Sequence, residues 1–141
     1  MNDNVLYTRV YEVHKEDFAA AGEASARVKR KLKQIGIDAA IIRKIAIASY
    51  EAEINMIIHS YGGTMTINIG ESSIVIICAD TGPGIPDVEL AMKEGYSTAP
   101  QNIREMGFGA GMGLSNINRN SDNMSITSSP EGTTIRMEFE T

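Results

Sequence analysis

A chain of 141 residues has the length of one ordinary domain and leaves no room for a second with its own core. Hydrophobic residues make up 43% and charged residues 22%, proportions that exclude a disordered or collagen-like chain. Thirteen Lys and Arg stand against 18 Asp and Glu, a formal charge of −5. Five of the cations fall at positions 27–33 on one expected helix. Nucleic acid is therefore disfavoured as a main partner, because neutralising phosphates takes a broad cationic face.

The single cysteine, Cys78, lies in an apolar run and reads as a small buried hydrophobe, since it can form neither an internal disulfide nor a CxxC metal site. No basic stretch followed by an apolar segment opens the chain, and no apolar run approaches the ~18 residues of a membrane span. A cytoplasmic location without membrane contact is the default expectation.

Residues 5–13, rich in Val, Leu and Tyr, form a first strand. Asp17 is placed to cap a helix over the Ala-rich residues 18–35, and Gly36 suits a left-handed position just past its end. Asp38 caps a second helix, 39–60, on which Ile42, Ile45, Ala46, Ser49, Ala52, Asn55 and Met56 recur at three- and four-residue steps. Residues 64–69 and 73–79 read as a hairpin, the second strand apolar on both faces and so central. Asp80-Thr81-Gly82-Pro83-Gly84-Ile85-Pro86 continues neither element and is a shaped loop. Asp87 caps a short helix, 88–94, and the glycine-rich residues 95–113 form a loop whose length marks it as functional. A helix over 114–120 and strands over 124–128 and 133–139 close the chain around Pro130-Glu131-Gly132. This order departs from strict βαβ alternation. It implies one α/β domain over 1–141, a two-layer sandwich with helices on one face of a mixed, mostly antiparallel sheet.

Three constellations carry candidate chemistry. The cluster Gly107-Phe108-Gly109-Ala110-Gly111-Met112-Gly113 before a helix would let backbone N–H groups approach an anion, although it matches neither GxxxxGK[ST] nor a first-strand GxGxxG, and a hinge loop is the alternative. Glu51 and Asn55 are four apart and share a helix face, either as an intrahelical hydrogen-bonded pair or as ligand-directed groups. Glu53 points elsewhere and is expected to be solvated. Asp80 ends a buried strand and must accept hydrogen bonds, from a ligand amino group or from its own loop.

In sequence order, Glu-x-x-x-Asn on a helix, Asp-x-Gly-x-Gly after a strand, a glycine-rich lid before a helix and Gly-Thr-Thr before the last strand resemble the Bergerat ATP-binding fold. Within that superfamily, residues 51–61 (EAEINMIIHSY), 80–87 (DTGPGIPD), 95–98 (GYST) and 132–136 (GTTIR) resemble the bacterial anti-sigma-factor and stress-switch serine/threonine protein kinases. The resemblance implies phosphorylation, with ATP and Mg²⁺, of a Ser or Thr on a STAS-type antagonist. It makes Glu51 the general base and Asn55 the Mg²⁺ ligand. It directs Asp80 to the adenine amino group, Gly84 to close approach of the base, and Thr134 to a water beside the adenine. Gly109, Gly111 and Gly113 would hold phosphates under a lid spanning 97–112. Gly82, Ile85, Ser97, Thr98, Gly107, Met112 and Leu114 complete the implied nucleotide contacts.

The chain departs from the sporulation-type members by carrying Ser97-Thr98-Ala99-Pro100 where a Lys-Pro follows the lid threonines, and by an added polar segment, 101–105, that includes Arg104. Those differences lean toward the switch-kinase branch. His59 reads as a capping or core-edge residue, and His14 has no evident partner. The alternatives to a kinase are a nucleotide-gated binder that sequesters a sigma factor and a detached ATPase domain serving another chain. A homodimer through the first strand and helix and a monomer are both open.

Overall fold

The computed structural model describes residues 5–15, 18–82 and 113–141. The elements there are β1 (Val5–His14), a 3-10 turn (Phe18–Ala20), α1 (Glu23–Gln34), α2 (Ala39–His59), β2 (Gly62–Gly70), β3 (Ser73–Asp80), α3 (Gly113–Asn120), β4 (Asn123–Ser129) and β5 (Gly132–Glu140). The expected helix 88–94, its cap Asp87 and the lid lie outside the described residues, as does Asp17.

The strands form one sheet in the order β1-β2-β3-β5-β4. All four pairings are antiparallel, so the parallel component left open by the sequence is not found among the described residues. Side chains alternate across the sheet. Tyr11 and Val13 of β1, Met65, Ile67 and Ile69 of β2, Ile74, Ile76 and Cys78 of β3, and Ile135, Met137 and Phe139 of β5 are buried on one face. Helix α2 packs on that face and touches β1, β2, β3 and β5, with α1 and α3 against its flanks. This is the two-layer sandwich that the element order implies.

Helix α2 starts where the sequence indicates: the Asp38 carboxylate accepts the Ala40 N–H at 3.1 Å. Its second half is covered from several sides, with Ala52, Glu53, Ile54, Met56 and Ile57 all buried. Helix α1 ends at Gln34, and Gly36 just past its C-cap has a φ of 82°, the left-handed conformation in which a Cβ is costly. Its beginning differs from expectation. A 3-10 turn stands at residues 18–20, and Gly22 at φ 90° resets the chain direction before the helix runs from Glu23. No helix among the described residues is long and apolar enough to cross a membrane.

Candidate functional site

The strand-end aspartate is fixed by backbone packing on both sides. A Cβ on Gly63 of β2 would meet the Ala79 carbonyl and the Asp80 Cα, and one on Gly132 of β5 would collide with the Asp80 carbonyl oxygen. Asp80 Oδ1 accepts the Thr133 N–H at 2.9 Å. Burial pushes the Asp80 carboxyl above the usual carboxylate range, and the Thr133 N–H partly offsets this. Oδ2 has no hydrogen-bond partner among the described residues.

Strand alternation corrects one assignment. Thr133 shares the buried face with Ile135 and Met137, beside Asp80, whereas Thr134 projects to the opposite face. The Thr133 hydroxyl lies 2.9 Å from that of Ser128. The threonine able to cooperate with Asp80 is therefore Thr133, not Thr134. Gly82 is also explained by its neighbours: its N–H donates to the Glu131 carbonyl at 2.6 Å, and a Cβ there would press on the Pro130 carbonyl. Its glycine character serves the β4–β5 turn.

Glu51 and Asn55 lie on one face of α2, both partly exposed. They do not bond to each other among the described residues, which removes the intrahelical pair. Glu51 instead takes a hydrogen bond from Asn116, in the first turns of α3. Burial raises the Glu51 carboxyl above its ordinary value, and the Asn116 bond opposes part of that rise. The Asn55 carboxamide has no hydrogen-bond partner among the described residues. Asn116 was missed in the sequence because nothing local marks it; the packing of Leu114 and Ile117 into the core is what turns it toward α2.

Glu53 overturns the expectation of a solvated side chain. It is 2% exposed and accepts N–H groups from Gly22 at 3.1 Å, Ala24 at 3.2 Å and Ser25 at 3.0 Å. It thus caps α1, whose own N-cap residue is a glycine with no side chain to do so. His59 ends α2 at the core edge, and burial lowers its pKa. His14 is exposed, with Glu12 3.9 Å away. Cys78 is buried, and its thiol is pushed far up by that burial.

Gly113 opens α3, and the Leu114 side chain is in the core. Gly84, Ile85, Ser97, Thr98, Gly107, Gly109, Gly111 and Met112 lie outside the described residues.

Residues 15–139 match the Histidine kinase-like ATPase domain. The chain belongs to that family. Among histidine kinase-like ATPase domains, it is 33% identical over 127 residues to "Serine/threonine-protein kinase RsbT" of Bacillus subtilis, across 85% of this chain and 86% of that protein. It is 34% identical over 94 residues to "Anti-sigma F factor" of Bacillus licheniformis, across 62% of this chain and 61% of that protein. Its fold is similar to the crystal structure of the RsbU and RsbW domains of a Mycobacterium tuberculosis protein, with a TM-score of 0.65 and 16% identity over 94% of this chain and 32% of that one.

No group of three or more His, Cys, Asp or Glu among the described residues could hold a metal ion. The donor set, one half-exposed amide oxygen beside a carboxylate, suits magnesium, which takes few protein oxygens and fills its octahedron with phosphate and water.

Proposed function

We propose that this chain is an ATP-dependent serine/threonine protein kinase of the anti-sigma regulatory type, acting on a STAS-type antagonist protein. The observation that carries this reading is the pairing on α2 of a half-buried carboxylate, Glu51, held by Asn116, with an amide, Asn55, that has no hydrogen-bond partner among the described residues. The intact Glu51 argues against a protein that only sequesters a partner, which needs no base.

In this scheme Asp80 Oδ2 accepts the adenine amino hydrogen while Oδ1 stays on the Thr133 N–H. Thr133 adds its hydroxyl beside the base. The Asn55 carboxamide oxygen would hold Mg²⁺, which when bound neutralises charge on the phosphate oxygens. The N-terminal turn of α3, headed by Gly113, would direct backbone N–H groups at the phosphates. Gly82 shapes the loop entry. The glycines 84, 107, 109 and 111, with Ile85, Ser97, Thr98 and Met112, are assigned to base and phosphate contacts by their motif positions.

In this reading Glu51 takes the proton of the acceptor hydroxyl as that oxygen attacks the γ-phosphorus, and the bond from the γ-phosphorus to the bridging β-phosphate oxygen breaks to release ADP. A carboxyl whose pKa burial has raised is a stronger base than an ordinary surface glutamate. Asn116 positions it.

The test is incubation of the purified chain with Mg-ATP and purified STAS-domain proteins of the same genome, followed by mass spectrometry. A phosphate on one Ser or Thr of a STAS protein is the expected result. A stable complex with a sigma factor, with no phosphorylated product, would favour the nucleotide-gated binder instead.

A further inference from the structure

The charge on this molecule is sharply divided. Residues 24–50 hold seven of the 13 basic side chains, Arg27, Lys29, Arg30, Lys31, Lys33, Arg43 and Lys44, and only one of the 18 acidic ones, Asp38. Two of the seven are engaged: Arg27 pairs with Glu23 at 2.8 Å, and Lys31 lies over the Tyr7 ring. Lys29, Arg30, Lys33, Arg43 and Lys44 are exposed and make no ion pair among the described residues. The last turn of α1 and the first turns of α2 meet across residues 35–38, so these cations gather at one end of the helical layer.

The patch leads to the proposed base. Lys44, Ile47 and Glu51 are spaced i, i+3, i+7 and form one stripe on α2, with Arg43 alongside. Ile47 is 40% exposed, and Ile35 in the turn below is 45% exposed. Along the axis, Ile47 lies about 6 Å, Lys44 about 10 Å and Arg43 about 12 Å from Glu51. A specific interface covers about 800 Å² on each partner, a disc of about 16 Å radius. A folded protein that delivers a hydroxyl to Glu51 therefore covers this stripe as well.

From this juxtaposition we infer that the Arg43–Lys44–Ile47 stripe of α2 is the docking surface for the protein substrate, and that the substrate meets it with an acidic surface around an apolar centre. The inference rests on the kinase reading for the occupant, and complementarity of charge supplies its chemistry. A pure phosphate binder would not place exposed isoleucines within the cationic field.

The test separates docking from chemistry. Complex formation with purified STAS-domain proteins of the same genome is measured by titration calorimetry for the wild type, for Arg43→Glu/Lys44→Glu and for the milder Ile47→Ser. Phosphate transfer is read on the same samples. The expected result is a Kd at least tenfold weaker for the double variant and about fivefold weaker for Ile47→Ser, with ATP affinity and thermal midpoint unchanged. Wild-type affinity should fall as salt is raised. Unchanged Kd in both variants would overturn the docking surface whether or not phosphate is transferred. Binding of duplex DNA at physiological salt in place of every STAS protein would overturn it too. Wild-type binding without transfer, lost in the double variant, would uphold the surface and remove the kinase reading.

Discussion

The carboxylate of Glu53 accepts the amide hydrogen of Ser25 at 3.0 Å, 28 residues earlier in the chain, and so closes a helix to which it does not belong. With the Gly22 and Ala24 amides on its other oxygen, Glu53 joins α1 to the same turn of α2 that carries Glu51. Removing it leaves two buried donors and one part-buried donor unsatisfied. Glu53→Ala is expected to cost about 3 kcal/mol of stability, and Glu53→Gln, which keeps one acceptor, about half as much. Urea unfolding of both variants measures this.

Asp80 is held between two backbones that tolerate no side chain. Gly132→Ala sets a methyl against the Asp80 carbonyl oxygen. It is expected to destabilise the fold by about 2–3 kcal/mol and to weaken ATP binding, because the carboxylate moves with its backbone. Thermal unfolding with and without nucleotide separates the two effects.

The two adjacent threonines should differ. Thr133→Val removes a hydroxyl on the Asp80 side of β5 and is expected to weaken ATP binding about fivefold, near 1 kcal/mol. Thr134→Val, on the far face, should change it less than twofold. Asp80→Asn should weaken ATP binding by about 10- to 100-fold, the range for a hydrogen bond to a charged group. Calorimetric titration with ATP ranks the three.

Burial raises the Glu51 carboxyl in the folded chain. The folded state therefore keeps this proton to higher pH than the unfolded state, and the associated stability is present below the ordinary glutamate value and lost as pH rises through the raised one. Glu51→Gln should consequently unfold at a higher temperature than wild type at pH 8, with the difference vanishing at pH 3–4. Transfer should run the other way, rising with pH through the raised value as the base ionises. A thermal midpoint series and a pH–rate profile check the two signs.

Much of the architecture was legible because its signals are local. Asp38 caps the helix it precedes, Gly36 takes the left-handed position after α1, and the run that is apolar on both faces, β3, is the central strand of the sheet. The chain's membership of the histidine kinase-like ATPase family was legible from spaced motifs. The misses are long-range. No local pattern shows that Glu53 caps a helix 28 residues upstream, and without that contact the sequence points to Asp17, and not Gly22, as the cap of α1. The register that puts Thr133, and not Thr134, beside Asp80 depends on where β5 pairs with β3. Asn116 reaches Glu51 only because α3 packs on α2.

The most direct measurement is γ-phosphate transfer to the hydroxyl of a STAS protein by Glu51→Gln, with ATP affinity determined on the same preparation. A fall of about a thousandfold or more in transfer rate, with ATP affinity within twofold of wild type, is the predicted result. Transfer at the wild-type rate by a variant that still binds ATP would contradict Glu51 as the base.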